Sequence, residues 1–128
     1  VAQVDERLAA LTKAGNPWLI GGDFNLLPPG QYQRLETAQR SIFRPDSEIQ
    51  PLFDHYGAIP SLEDIGRPSE ASWFTMNLNH PSTSGADRTV DYFFYPESLR
   101  LIESHVRQDE LALSASDHLP VIATFQLP

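Results

Sequence analysis

Cysteine is absent from the 128 residues, which excludes disulfides and thiolate metal sites and is neutral about compartment. Basic side chains are scarce: nine Lys and Arg stand against seventeen Asp and Glu, a formal net charge of −8. Duplex DNA is held largely by Lys and Arg that displace its counterions, and no basic stripe is visible here. Duplex DNA is therefore disfavoured as a substrate of this surface. No apolar run approaches the length of a membrane span, and no signal-peptide pattern occurs. Glycosylation acceptors of the Asn-x-Ser/Thr type are missing, Asn16 being followed by proline. There is no internal repeat and no low-complexity tract. Methionine occurs once, at Met76.

What is present is the composition of one soluble globular unit, 41% hydrophobic and 20% charged. Val4, Leu8 and Leu11 mark one face of a helix over residues 3–14, closed by Gly15-Asn16-Pro17. Trp18-Leu19-Ile20 reads as a short buried strand ended by Gly21-Gly22. Residues 26–30 read as loop, and 32–44 carry no clear pattern. Ser47-Glu48-Ile49-Gln50 resembles a capping box, with Ile49, Leu52, Phe53 and Tyr56 on one helical face and Gly57 as the stop. The stretch from Pro60 to Asp87 reads as a long functional loop holding one short strand near 72–75. Strands are expected over 89–95, with Val90, Tyr92 and Phe94 on one face, over 101–106, and from Pro120 to Leu127 with Val121, Ala123 and Phe125 on one face. Helix, buried strand, helix and late strands predict an α/β (α+β) fold, a mixed and mostly antiparallel sheet with helices on its outer face.

Three short stretches carry polar chemistry at the tips of apolar runs: Gly21-Gly22-Asp23-Phe24-Asn25, Arg88-Thr89-Val90-Asp91-Tyr92 and Ser116-Asp117-His118-Leu119. Cleaving a phosphodiester needs an activated water, charge stabilisation on the phosphoryl oxygens and help for the leaving oxygen. Asp23 can orient or deprotonate water, and Asn25 can point an amide N–H at a phosphoryl oxygen; the competing use of such a pair is an Asx turn. His118 becomes a phosphate ligand or acid once a carboxylate holds its second nitrogen. Arg88 is a candidate phosphate clamp or an ordinary ion-pair arginine. His80 is a loop residue near the expected cleft, His55 and His105 read as structural, and these histidines lack zinc-site spacing. Trp73, Phe74, Phe93 and Phe94 read as sheet-packing residues.

With these stretches in this order, the sequence resembles the endonuclease/exonuclease/phosphatase superfamily of metal-dependent phosphoesterases. The resemblance implies catalytic roles for Asp23, Asn25, Asp91 and His118, with Asp91 as the carboxylate that holds His118. It implies phosphate binding by Asn25 and His118, with Arg88 a further candidate, and metal binding by Asp117 and Asp23. The implied cofactor is Mg2+, or Mn2+ with the same oxygen ligands. It further implies one αβ half of a four-layer αββα sandwich, the chain being the C-terminal half of a longer domain whose early part supplies a metal-binding glutamate. A face left open in this way would be covered by the N-terminal half or by a second copy in a homodimer. The expected activity is hydrolysis of a phosphate ester. Two alternatives remain at this level: a nuclease whose basic surface lies in the other half, and a binding or assembly module without catalysis.

Overall fold

The computed structural model describes residues 1–77 and 85–128; His80 lies outside the described residues. The first helix, α1 (Ala2–Lys13), buries Leu8, with Val4 and Leu11 packed beside it. It closes as the glycine foretells. Gly15 adopts φ +73°, the Asn16 N–H donates to Leu11 O at 3.1 Å, and the Gly15 N–H donates to Thr12 O at 3.0 Å. This is a Schellman closure, which satisfies carbonyls the helix would otherwise leave open.

Strand β1 (Ile20–Asp23) lies two residues later than the apolar run suggests, so Gly21 and Gly22 form the strand instead of ending it. The reason is its neighbour β3 (Asp91–Tyr95), with which it pairs antiparallel. The Phe93 ring lies across Gly21, where a Cβ would overlap two of its carbons. Glycine in a strand often marks such a close approach. Trp18 stays in the core, its Nε1–H donating to Thr12 Oγ1 at 2.8 Å and its ring meeting Tyr56 edge-on at 4.9 Å.

The expected capping box does not form. Ser47 Oγ donates to Leu27 O at 2.8 Å and Gln50 Nε2 donates to Asp54 Oδ1 at 2.7 Å, so α3 (Gln50–His55) starts without a side-chain cap. A four-residue α2 (Thr37–Arg40) and a 3-10 turn at Tyr32–Arg34 occupy the patternless stretch before it. Gly57 does more than stop α3: it opens β2 (Gly57–Ile59), which pairs with the far side of β3 under the Tyr95 ring. The sheet order is β1-β3-β2.

Val90, Tyr92 and Phe94 are buried as their alternation requires. Tyr92 and Phe94 join Leu8 of α1 and Leu52 and Phe53 of α3, so both helices cover one face of the sheet. Phe53 meets Tyr92 and Phe94 edge-on at 5.6 and 5.3 Å. A second antiparallel sheet pairs β4 (Arg100–Val106) with β5 (Val121–Gln126). Beneath it lies α4 (Glu110–Ala115), capped by Asp109, whose carboxylate accepts the Ala112 N–H at 3.0 Å. The architecture is mixed α/β as expected, and among the described residues the strands form two antiparallel sheets where the sequence predicts a single, mostly antiparallel one. Around the expected strand at 72–75, Glu70–Trp73 is a 3-10 turn, and pairing begins only with Met76, which bridges Arg88 on one side and His118 on the other. Among the described residues, no helix is long and apolar enough to cross a membrane.

Candidate active site

Asp23 ends β1 and Asp91 begins β3, and the register sets them directly opposite each other. Like charges facing across a strand pair destabilise it, so the pairing calls for a compensating cation. His118 supplies one when its imidazole is protonated. It stands just before β5, brought alongside by the Met76 bridge. Its Nδ1–H donates to Asp91 Oδ2 at 3.0 Å, and Nε2 lies 4.0 Å from Asp23 Oδ2. The hydrogen bond to Asp91 raises the His118 pKa above its ordinary value; partial burial opposes this, and the charges of Asp91, Asp23 and Asp117 add to it. One ligand atom from each of Asp23, Asp91 and His118 falls within 4.8 Å of the others.

Asn25 has φ +52°, the left-handed conformation that asparagine tolerates better than most residues. Its backbone N–H donates to Asp23 Oδ1 at 2.8 Å and its Nδ2 to Asp23 Oδ2 at 2.9 Å. The pair thus makes an Asx turn that fixes the Asp23 carboxylate. One hydrogen of the Asn25 amide remains for another acceptor.

Asp117 stands next to this cluster and outside it. Its carboxylate is exposed, 3.5 Å from Ser116 Oγ, and its backbone carbonyl accepts the Asn77 N–H at 2.7 Å. Ser116 Oγ also accepts the His118 N–H at 3.0 Å, shaping the turn that aims the imidazole. A cleft of about 440 Å3 opens beside His118, walled by Gly21, Gly22, Asp91, Phe93 and Leu119.

Arg88 is not brought to the cluster. Only 1% of its side chain is exposed, Nε and Nη2 donate to the Asp87 carboxylate at 2.7 and 2.8 Å, and the guanidinium lies 5.3 Å from the centre of the Phe43 ring. An arginine so enclosed braces the approach to β3 and has little reach toward a phosphate. His55 pairs with Asp5 at 3.0 Å, tying α3 to α1, and His105 sits on β4 opposite Ile122. Phe94 is fully buried, while Trp73, Phe74 and Phe93 are partly exposed. Sequence reasoning passed over Thr75 and Gln31, both buried, whose side chains accept backbone N–H groups at the start of β3.

A mixed α/β chain with two carboxylates and an imidazole converging at strand ends has the equipment of a hydrolase. The chain belongs to the endonuclease/exonuclease/phosphatase family: that family's sequence model matches residues 1–118. The family is generally hydrolytic, of phosphoesterase and nuclease type, and acts on phosphate-ester substrates such as nucleic acids. No curated protein and no solved structure matches the chain.

Proposed function

We propose that this chain carries the catalytic end of a metal-dependent phosphate-ester hydrolase. The convergence of Asp23, Asp91 and His118 carries the reading. Asp91 fixes the imidazole tautomer and favours the imidazolium, leaving Nε2–H to donate to a phosphoryl oxygen and to offset the charge that grows there. Asp23, fixed by Asn25, takes a proton from the attacking water. The free amide hydrogen of Asn25 supports a second phosphoryl oxygen. Arg88 is left out of phosphate binding because its guanidinium is buried against Asp87.

The donor set suits a hard divalent ion. Asp23 and the exposed Asp117 offer carboxylate oxygens, whereas Nδ1 of His118 is already committed to Asp91. Mg2+ takes one or two carboxylates and keeps several waters, and Mn2+ accepts the same ligands. Such an ion, when bound, supplies Lewis-acid polarisation of the phosphate and a more acidic water.

The acidic surface favours a small or lipid-linked phosphate ester over duplex DNA. The chain is read as the C-terminal half of a four-layer sandwich. In support, among the described residues β1 and β2 are edge strands and β4-β5 has two strands, an arrangement marginal without further partners. The N-terminal half, carrying a glutamate for the metal, or a second copy would add to these sheets. The test of the catalytic reading is Asp23→Ala in the full-length protein. Turnover should fall about 10^2- to 10^4-fold with KM little changed; near-normal turnover would remove Asp23 from the chemistry.

A further inference from the structure

The segment Thr75–Asn77 runs between the two stretches that carry Asp91 and His118. Met76 bridges Arg88 and His118, the Thr75 N–H donates to Arg88 O at 2.8 Å, and Thr75 O accepts the Leu119 N–H at 2.6 Å. Thr75 is fully buried, and its Oγ1 accepts two successive amides, those of Val90 at 3.0 Å and Asp91 at 3.1 Å. One residue therefore holds Asp91 by its side chain and the residue after His118 by its main chain. Those are the two ends of the Asp91 to His118 hydrogen bond.

We propose that Thr75 is a positioning residue: its hydroxyl fixes the backbone of Asp91 so that the carboxylate meets Nδ1 of His118. A two-amide acceptor is needed at this point because β3 is just starting. Val90 O already accepts the Phe24 N–H from the β1 side, and without Thr75 Oγ1 the buried N–H of Val90 and the partly buried N–H of Asp91 would lose the partner they have. Alanine or valine there has no oxygen for them, and glycine would also loosen the chain. The consequence for turnover rests on the hydrolase reading above, but the hold on Asp91 does not.

The experiment compares Thr75→Val, which keeps the shape and loses the oxygen, with Thr75→Ser, which keeps the oxygen. The first readout is the downfield His118 Nδ1–H resonance in 15N-labelled full-length protein, a signature of the imidazole held by Asp91. The second is Mg2+-supported hydrolysis of bis(p-nitrophenyl) phosphate. Thr75→Val should lose or broaden the resonance and lower kcat roughly 10- to 100-fold with little change in KM, as loss of other outer partners of a site does. Thr75→Ser should restore both. A folded Thr75→Val protein that keeps the resonance overturns the proposal, as does a Ser variant impaired as much as Val. Should Thr75→Val fail to fold, amide exchange in the unsubstituted protein decides: Val90 and Asp91 must be as protected as Tyr92, and fast exchange overturns the hold. An unsubstituted protein that shows the resonance but hydrolyses nothing would count against the hydrolase reading and leave the hold on Asp91 standing.

Discussion

Gly21→Ala should destabilise the protein although it places a better-tolerated residue in a strand. Ordinarily the exchange relieves glycine's entropy cost, a gain of roughly 0.5–1 kcal/mol. Here the added Cβ would fall on Cδ1 and Cε1 of Phe93, well inside the 3.4 Å at which ordinary contact begins. The backbone at Gly21 is not in the left-handed region, so the penalty is steric alone. Phe93 is only partly buried and can swing aside, which places the cost in the overpacking range, about 1–3 kcal/mol before the entropy gain is set against it. At this chain length that corresponds to a fall in Tm of roughly 4 °C per net kcal/mol. Urea unfolding of the single variants and of Gly21→Ala with Phe93→Ala completes a double-mutant cycle. Removing the ring should turn the glycine substitution neutral or stabilising. If Gly21→Ala is equally costly with and without the ring, the close approach of Phe93 is not the reason for the glycine.

Other consequences follow from the cluster and the core. Asp91→Asn should lower the His118 pKa, because the charge-assisted hydrogen bond is its largest upward cause; an NMR titration unchanged from the native protein would break the pairing. The sign for stability is set by the same bond. A histidine whose folded pKa is raised stabilises the fold fully below its unfolded value near 6.5 and loses that contribution as pH rises through the higher folded value. Asp91→Asn should flatten that part of the stability profile, read by urea midpoints across pH. Phe94→Ala, at a fully buried ring packed against Phe24 and Phe53, should cost about 3–5 kcal/mol, and a loss below 1 kcal/mol would place the core elsewhere.

Periodicity made much of the fold legible. The heptad-like spacing of Val4, Leu8 and Leu11 located α1, glycine and proline located its end, and the alternation of Val90, Tyr92 and Phe94 identified the buried face of β3. What escaped depended on partners distant in sequence. Gly21 reads as a terminator until Phe93 is seen across from it, and Ser47 reads as a cap until Leu27 O takes its hydroxyl. The short β2 was hidden because three residues give no period. Asp109, one residue before Glu110-Leu111-Ala112-Leu113, was a visible N-cap signal for α4 that went unused. At the site, residue type and order mark Asp23, Asn25, Asp91 and His118 as candidates, and the structure brings Asp23, Asp91 and His118 together with Asn25 bound to Asp23. Arg88 shows the limit of that reasoning: residue type left a phosphate clamp and an ion-pair arginine both open, and the pairing with Asp87 beneath Phe43 is a tertiary fact. Thr75 carried no signal, because a threonine that accepts two amides looks like any strand threonine.

The most direct test of the account is hydrolysis of bis(p-nitrophenyl) phosphate by the full-length protein, with Mg2+ and with chelator, in the native and His118→Ala forms. Turnover is expected to require the divalent ion and to drop about 100-fold or more when the imidazole is removed. Turnover indifferent to both chelation and His118→Ala would contradict the hydrolase reading.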